Sequence, residues 1–333
     1  MARINILAWD NRRGLSHDIR LMSDTLLKLG HQVHVTRLGP HRKDGRLSVW
    51  WQYLQMRWQR LLSGGRRKHL YDINIALEHV RPGHFGLARL NLLVPNPEWM
   101  SPRSQRYLPR FDAILCKTRY AVELFTARGC RALHIGFSSH DCLQPGVAKH
   151  PSFLHLAGAS RMKGTGRLLA LWQRHPEWPK LLLLQSPGTA IRPTGPVAAN
   201  IEHRVGYVAD VAEIRQLQNS HAFQLCLSET EGWGHYIVEA MSCRAVVITC
   251  DAPPMNELVN NSRGALVKAT QDKTFNLATL YRFDDTALES TIEHLIAMNT
   301  PERDALGDQA RTWFEANDTA FASRLDAALR QLL

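Results

Sequence analysis

The sequence predicts an α/β protein of two doubly wound, Rossmann-like domains that face a central cleft. Strand-like apolar runs alternate with helical periodicities, and such alternation favours parallel sheets covered by helices on both faces. The alternation pauses once, in the polar stretch "SSHDCLQPGVAKHPS", and then starts again. A length of 333 residues suits two domains of roughly 100–200 residues each. We therefore expect one domain over 1–145 and a second over 151–315.

The first domain opens with a strand–helix–strand unit. "RINILAW" is a nearly continuous apolar run, as expected of a strand buried on both faces. The segment that follows repeats apolar residues at the spacing of one helix face: Ile19, Met22, Leu26 and Leu29. Gly30 is placed to cap that helix, and "HQVHVTRL" returns as a strand. Four more strands are predicted at "DINIAL", "LNLLVP", "FDAILCK" and "RALHIG".

The second domain repeats the pattern. Strands are predicted at "FLHLAG", "KLLLLQ", "HRVGYV", "FQLCLS" and "AVVITC", with helices at "TGRLLALWQRH" and "DVAEIRQLQNS" between them. A last helix, 319–333, carries an apolar stripe of Phe321, Leu325 and Leu329. Ligands of such sheets bind at the carboxyl ends of the strands, where polar residues that follow a strand become candidates for a site.

The charge is distributed unevenly along the chain. Residues 1–145 hold 23 Lys and Arg against 10 Asp and Glu, a net +13, whereas the remainder holds 18 against 20, a net −2. The whole chain therefore carries +11. Such asymmetry predicts that one half faces an anionic partner: nucleic acid, a phosphorylated substrate or membrane headgroups.

The cysteines indicate a reduced compartment. Six cysteines form no Cys-x-x-Cys pair and most lie in apolar runs, so we expect buried thiols and neither disulfides nor zinc ligands. The apolar runs are shorter than the roughly 18 residues of a membrane span, and "MARINILAWDNRR" lacks the cleavage site of a signal peptide. We therefore expect a cytoplasmic protein.

One stretch, "SETEGWGHYIVEAMSC", carries the chemistry. Gly232 and Gly234 allow a sharp turn before a helix predicted to begin near His235, and a helix N-terminus attracts phosphate. Glu231 precedes that helix and Glu239 lies within it. Two carboxylates separated in this way can accept hydrogen bonds from hydroxyls at two ends of a nucleotide sugar. The alternative is that both are surface acids at a helix start, where acids are favoured anyway.

This stretch resembles the signature of retaining glycosyltransferases of the GT-B fold, especially the large family four of the group 1 type. That signature reads Glu-Gly-Phe-Gly, then Glu-Ala-Met-Ala, then Gly-x-Pro-Val-Val; here Trp233 replaces Phe, and "RA" replaces Gly-x-Pro. "PPMNELV" resembles the family's next acidic segment, with Glu257 as its acid. "HLAGASRMKGTGRLL" resembles the segment that holds the donor diphosphate. "CKTRYAVELF" and "IGFSSHD" resemble strand ends of the N-terminal domain.

The resemblance implies a metal-independent, hexosyltransferase-type enzyme with a nucleotide-diphosphate sugar as substrate and no cofactor. It implies three catalytic residues: Glu231 on the sugar, with Lys163 and Arg161 on the diphosphate. It implies donor-binding residues at Glu239, Gly232, Trp233, Gly234, His235, Gly14, Tyr207 and Val208. It also implies that helix 319–333 packs on the N-terminal, acceptor-binding domain, with 151–315 binding the donor.

The chemistry of the residues agrees with transfer. Loss of a diphosphate develops negative charge that a Lys, an Arg and a helix N-terminus can stabilise, and the sequence has no Asp-x-Asp metal motif. A glycosidase with two carboxylates is disfavoured by the phosphate-binding setting. Two alternatives stay open: a sugar-nucleotide epimerase of the same architecture, and, less favoured, a nucleic-acid-binding protein, which the basic half would allow.

The acceptor is expected to be a glycan or glycolipid of the cell envelope, of lipopolysaccharide or exopolysaccharide type. Four polar residues at probable strand ends of the first domain are candidates to face it: His79, His84, Asn96 and Glu98.

Residues 41–70 suggest a membrane contact. Trp50, Leu54, Trp58 and Leu61 recur on one helix face between basic clusters. An interfacial helix has this composition, and so does a core helix whose tryptophans pack inside. The basic domain favours the first reading, a protein peripheral on the inner face of the cytoplasmic membrane.

Overall fold

The structure is a computed structural model that describes residues 1–9, 14–38, 50, 54, 57–58, 69–191, 196–208 and 210–333. It divides into two compact units. Unit 1 comprises Met1–Ser138 together with Thr319–Leu333, and unit 2 comprises Ser139–Asp318. The division falls after the first residue of the polar stretch, because later residues of that stretch are held by unit 2: Arg311 pairs with Asp141 at 2.6 Å, and the Cys142 amide donates to Ser242 Oγ at 2.9 Å.

Unit 1 has one parallel sheet in the order β2-β1-β3-β4-β5-β6. Its described strands are β1 (Arg3–Trp9), β2 (Gln32–Leu38), β3 (Tyr71–Leu77), β4 (Ala88–Val94), β5 (Ala113–Cys116) and β6 (Ala132–His134). Its described helices are α1 (Gly14–Lys28), α2 (Pro102–Gln105) and α3 (Arg119–Thr126). The strands predicted from apolar runs all form, with ends within two residues of prediction, because a sheet buried on both faces needs such runs.

A ladder of asparagines crosses this sheet inside its apolar core. Asn5, Asn74 and Asn91 are register partners on β1, β3 and β4. Asn5 Nδ2 donates to Asn74 Oδ1 at 3.0 Å, and Asn74 Nδ2 donates to Asn91 Oδ1 at 3.0 Å. Thr36 Oγ1 on β2 donates to Asn5 Oδ1 at 2.8 Å, and Asn74 Nδ2 also bonds the backbone oxygen of His84. The buried amides are therefore mutually satisfied, as burial of polar groups requires.

Unit 2 has a seven-stranded sheet in the order β13-β12-β11-β10-β7-β8-β9. Its strands are β7 (His150–Gly158), β8 (Leu181–Gln185), β9 (Ile201–Val205), β10 (His221–Cys226), β11 (Val246–Asp251), β12 (Ala265–Phe275) and β13 (Ala278–Phe283). Its helices are α4 (Thr165–Gln173), α5 (Val211–Ser220), α6 (His235–Ser242), α7 (Met255–Leu258) and α8 (Asp285–Ala297). The neighbouring pairs are parallel except β12 and β13, which form an antiparallel hairpin at the sheet edge.

The chain ends in one long helix, α9 (Thr300–Leu332). The sequence predicted only its last part, 319–333, which is the part that belongs to unit 1. There Phe321 is 1% exposed and its ring lies 5.0 Å from that of Phe137, centroid to centroid. Leu325 and Leu329 are buried with it, so the predicted stripe is a packing face.

The cysteines are free thiols; five of them are buried, as the apolar runs predicted, whereas Cys130 is partly exposed. Within the described ranges, no helix combines the length and the apolar character needed to cross a bilayer. Most of the predicted helix at 41–70 lies outside the described residues. Of its members that are described, Trp50 is 54% exposed and Trp58 is 62% exposed.

Candidate active site

Two loops of unit 2 meet where the strand order of its sheet reverses. β7 and β10 are parallel neighbours, yet the chain runs from β7 outward to β8 and β9 before it returns to β10. The loop after β7 carries Lys163, and the loop after β10 carries Glu231. Such reversal points, at the carboxyl ends of parallel strands, form the ligand-binding crevice of doubly wound sheets.

Backbone hydrogen bonds tie the two loops together. The amide of Glu229 donates to the carbonyl oxygen of Met162 at 2.9 Å. The amide of Tyr281 on β13 donates to the carbonyl oxygen of Glu229 at 2.8 Å. The edge hairpin therefore braces the loop of the motif, which in turn braces the loop of Lys163. This hairpin was not predicted from the sequence.

Lys163 and Glu231 are in direct contact. Lys163 Nζ lies 2.6 Å from Glu231 Oε1, and the two side chains are 13% and 17% exposed. Ser228 Oγ donates to the same oxygen at 2.5 Å. Lys163 Nζ also lies 3.2 Å from the ring centroid of Tyr236, whose hydroxyl is 2.5 Å from Ser228 Oγ. The site thus holds one cation and one carboxylate in a fixed, largely desolvated geometry.

Two helices begin beside this pair, each after a left-handed glycine. Gly164 (φ 66°) precedes α4, and Gly234 (φ 95°) precedes α6. A Cβ at Gly164 would lie 2.8 Å from the oxygen of Leu227, so no other residue fits there without a shift. Both helix N-termini carry partial positive charge, which favours an anion near Lys163.

The rest of the motif is held from within unit 2. Trp233 is 4% exposed, and its Nε1 donates to Ser139 Oγ at 3.1 Å, while His235 Nδ1 lies 2.9 Å from the same oxygen. Gly232 is buried. Burial raises the pKa of Glu239. The charges of His235 and Lys163 and a hydrogen bond from Gln218 act in the opposite direction and lower this pKa.

His155 supports the site from inside the sheet. Its Nδ1 lies 2.7 Å from the carbonyl oxygen of Leu225 and therefore carries the proton, since a carbonyl only accepts. Its Nε2, 3.0 Å from Thr165 Oγ1, must then accept from that hydroxyl. Burial lowers the pKa of His155 to about 4, so the ring is neutral near pH 7. This histidine fixes the first residue of α4, next to Lys163 and Gly164.

The structure places the other predicted donor residues less centrally. Arg161 is exposed on the loop after β7. Tyr207 is 83% exposed, whereas Val208 packs against the buried cluster of Leu154, Leu182 and Leu184. Gly14 is the first residue of α1 in unit 1. Their roles stay predictions.

The predicted acceptor residues lie near strand ends of unit 1. His79 follows β3 and meets the ring of Trp9 edge-on at 5.5 Å, and His84 is 5% exposed with its pKa lowered by burial to about 4. Asn96 follows β4, and Glu98 is 7% exposed in the turn after it. His79, Asn96 and Glu98 thus share the carboxyl edge of the sheet, whereas His84 lies on the segment that leads into β4.

Sequence reasoning missed a charged network at that same edge. Lys117, 3% exposed, bonds Asp18 Oδ2 at 2.5 Å and Asn96 Oδ1 at 3.0 Å. Asn96 Nδ2 donates in turn to Glu78 Oε2 at 2.9 Å. Glu78 has a left-handed backbone, with φ 62°, and burial raises its pKa. The available signal was positional: Glu78 directly follows a predicted strand, and Lys117 is the last residue of another, as Ser228 is in unit 2.

Among the residues that the structure describes, no group of three or more His, Cys, Asp or Glu side chains is arranged to hold a metal ion. The cationic groups near Glu231 are instead Lys163 and two helix N-termini. This arrangement can bind an anion and, beside it, accept a hydrogen bond from a ligand hydroxyl.

Comparison with solved structures identifies the architecture. HepE of Anabaena, in complex with UDP and glucose, superposes with a TM-score of 0.68 at 16% identity, over 99% of this chain and 100% of that chain. The fold is GT-B. Sucrose-phosphate synthase of Thermosynechococcus elongatus shares this GT-B fold at a TM-score of 0.68, 13% identity and coverage of 100% and 99%. WaaG, a glycosyltransferase involved in lipopolysaccharide biosynthesis, matches at 0.60, 13% identity and coverage of 94% and 95%.

The sequence itself matches one family model. Residues 198–313 match the model of the glycosyl transferases group 1. That span contains β9 to β13 of this GT-B chain, with Glu231 and Glu239, and ends before the last part of α9. A search of curated proteins found no significant match.

Proposed function

We propose that this protein is a glycosyltransferase that moves a sugar from a nucleotide-diphosphate donor to an acceptor hydroxyl. The observation that carries the proposal is the contact between Lys163 and Glu231, at 2.6 Å, beside the N-termini of α4 and α6. The match of residues 198–313 to the glycosyl transferases group 1 supports it. So does HepE, whose structure contains UDP and glucose.

The chemistry follows from the charges. In the transfer, the bond between the sugar's anomeric carbon and the donor phosphate breaks, which leaves positive charge on the sugar ring and negative charge on the diphosphate. Lys163 and Arg161, with the two helix N-termini, stabilise the leaving group; a preorganised charge is effective because it needs no reorganisation during the reaction. Glu231 accepts hydrogen bonds from sugar hydroxyls.

Glu239 accepts from the ribose in this proposal, and Tyr207 and Val208 lie at the base. Gly232, Trp233 and Gly234 present backbone groups to the sugar, with His235 at the start of α6. A metal ion is not required, since cationic groups of the protein neutralise the diphosphate. EDTA is therefore expected to leave the activity unchanged.

The acceptor is proposed to be a cell-envelope glycan or glycolipid, with retention of configuration and with hexose as the transferred sugar. WaaG, similar in fold, acts in lipopolysaccharide biosynthesis, which supports an acceptor of that class. The carboxyl edge of the unit 1 sheet, with Glu78, His79, Asn96 and Glu98, is the proposed acceptor surface. The basic half of the chain would hold the protein on the inner face of the cytoplasmic membrane.

The experiment is a donor screen followed by product analysis. Thermal shift with UDP, GDP, ADP and their sugar derivatives identifies the base, because a ligand at 100 times its dissociation constant stabilises by about 2.7 kcal/mol. Incubation of the selected donor with lipid extract then tests transfer, and EDTA tests metal independence. Stabilisation by none of these nucleotides would contradict the proposal.

Sugar-nucleotide epimerisation is the second candidate, favoured by the same architecture and the same pair of glutamates. Incubation with the donor alone separates the two. An epimerase converts the donor sugar without any acceptor, whereas a transferase leaves it intact or hydrolyses it slowly.

A further inference from the structure

We propose that Tyr236 is a positioning residue whose ring holds the Lys163 ammonium in place for an anionic ligand. This inference rests on the proposed function and adds a residue that the motif does not assign. Lys163 Nζ lies 3.2 Å from the centroid of the Tyr236 ring, within the range of a cation–π contact.

The position of Tyr236 explains how its ring reaches the lysine. Tyr236 is the second residue of α6, and helical side chains lean back toward the helix N-terminus. The ring therefore lies over the turn that holds Glu231, next to the loop of Lys163. Burial raises the pKa of the Tyr236 phenol, so its hydroxyl stays protonated.

The hydroxyl fixes the ring through a directed chain of hydrogen bonds. The Ser228 hydroxyl donates its single proton to Glu231 Oε1 at 2.5 Å. Its oxygen must therefore accept from the Tyr236 hydroxyl, which lies 2.5 Å away. Tyr236 thus donates to Ser228, and Ser228 donates to Glu231. Both ends of this chain meet at Lys163, which pairs with Glu231 and lies over the ring.

The two partners of Lys163 act differently on its charge. Glu231 neutralises the ammonium, whereas the ring attracts it through its quadrupole and leaves the charge in place. A ring therefore restrains a flexible lysine without competing with phosphate oxygens. Because the ring already restrains Lys163, its side chain loses less conformational entropy when an anion binds.

The test is calorimetric binding of inorganic pyrophosphate, a probe that needs no knowledge of the base or the sugar. Tyr236→Leu removes the ring and is expected to weaken binding on the order of tenfold. Tyr236→Phe keeps the ring and is expected to stay within about twofold of the unaltered protein. Equal losses in the two variants would assign the effect to the hydroxyl and overturn the proposal.

A double-mutant cycle separates the ring's action on Lys163 from a general loss of structure. If the ring acts through the lysine, Tyr236→Leu costs nothing further in a Lys163→Met background. An equal cost in both backgrounds would contradict the proposal. Tyr107→Leu in unit 1 is the matched control and should leave pyrophosphate binding unchanged.

The proposed function has its own outcome in the same titration. If the unaltered protein does not bind pyrophosphate, UDP or GDP, the diphosphate site itself is wrong, and this inference falls with it. If the unaltered protein binds and the Leu variant binds equally well, only the role of Tyr236 is wrong.

Discussion

At the scale of single residues, Lys163 and Glu231 neutralise each other in a site that is mostly shielded from water. Under the proposed transfer, each would act on charge that develops in the transition state. Lys163→Met and Glu231→Gln are therefore expected to lower turnover by a factor on the order of 10² each. Glu239→Ala should instead raise the KM for the nucleotide sugar. Steady-state kinetics with the donor from the screen measures all three.

The control for this series is Lys273→Met, an exposed lysine on the same unit's hairpin. It changes the net charge as Lys163→Met does and should leave turnover unchanged. Near-native turnover in both Lys163→Met and Glu231→Gln would contradict the assignment of the site.

His155 predicts a pH dependence of stability. Its folded pKa, about 4, lies below its ordinary value because burial disfavours the charged ring. Between pH 6.5 and 4 the unfolded chain therefore binds a proton that the folded chain does not, and stability falls as the pH falls through this window. The slope is about 1.4 kcal/mol per pH unit for one such group. Urea denaturation at several pH values measures it.

His155→Gln should remove this proton while it keeps an amide near Thr165 and Leu225. Below pH 6.5, the variant's free energy of unfolding is expected to fall less steeply with falling pH. The slope should be smaller by the contribution of at most one bound proton. An unchanged slope would show that His155 is protonated in the folded protein. His84 and His134, whose pKa values are also lowered to about 4, leave a residual slope in both proteins.

At the scale of elements, the asparagine ladder joins four strands of the unit 1 sheet by side-chain bonds in register. Asn74 lies in its middle, 1% exposed. Asn74→Leu leaves the amide of Asn5 and the oxygen of Asn91 without a partner in the core. The free energy of unfolding is expected to fall by about 2–4 kcal/mol. Each polar group left without a partner costs roughly 1–3 kcal/mol, and the surrounding structure relaxes enough to offset part of the sum. Chemical denaturation measures it.

The pair Asn5→Leu and Asn74→Leu tests the mechanism. Asn74→Leu leaves Asn5 Nδ2 without its acceptor, and Asn5→Leu leaves Asn74 Oδ1 without its donor, so the double variant should cost less than the sum of the two. Simple additivity would contradict a coupled ladder. Asn261→Leu, at an exposed position of unit 2, is the matched control and should cost less than about 0.5 kcal/mol.

The elements predicted best from the sequence are the buried parallel strands. β1, β3 and β10 are dominated by apolar residues, because helices cover both faces of the sheet, and that composition is visible without a structure. The hairpin of β12 and β13 was missed. Its outer part, around "TQDKTF", is exposed and polar, so its composition resembles a loop. The first half of α9 was missed for a similar reason, since its residues are mostly polar.

The site was predicted in part, and the physical reason differs from residue to residue. Glu231 could be found because glycines and a helix start mark its loop, and Lys163 because its segment resembles the diphosphate-holding segment of the glycosyltransferase family. Lys117 and Asp18 form a buried ion pair, but a lone lysine or aspartate in a sequence indicates a surface position. Tyr236 was unmarked because an aromatic residue in the first turn of a helix ordinarily indicates core packing.

At the scale of the whole molecule, the end of α9 completes unit 1. Phe321 packs on Phe137, and Arg324 Nε donates to the carbonyl oxygen of Ile135 at 2.9 Å. Phe321→Ala should destabilise unit 1 by about 3–5 kcal/mol, as truncation of a buried aromatic does. Hydrogen exchange should accelerate in β3 to β6 while β7 to β11 stay protected.

Phe275→Ala provides the comparison, since that ring is 36% exposed on the hairpin of unit 2. Its cost should be much smaller than that of Phe321→Ala. Equal acceleration of exchange in both units after Phe321→Ala would mean that the two units unfold as one.

The charge of the whole chain gives a prediction for the membrane. Residues 1–145 carry a net +13, and Trp50 and Trp58 are more than half exposed. The protein is expected to sediment with anionic liposomes at low salt and to be released at high salt, because screened charges attract weakly. Trp58→Ser should weaken this binding, whereas Trp99→Ser, at a tryptophan outside 41–70 that is also more than half exposed, should not. If the protein does not sediment with the liposomes at low salt, the predicted membrane contact is wrong, and a soluble acceptor is expected instead.

The membership of α9 in both units has a consequence for biosynthesis. Unit 2 is one continuous segment, Ser139–Asp318, and can close as soon as that segment has left the ribosome. Unit 1 is made first but lacks Phe321 and Leu325 until residues 319–333 have been translated. Its strands are thus exposed to chaperones and proteases for the whole synthesis of the other unit. A stop codon just before residue 319 would therefore damage the unit that the ribosome made first.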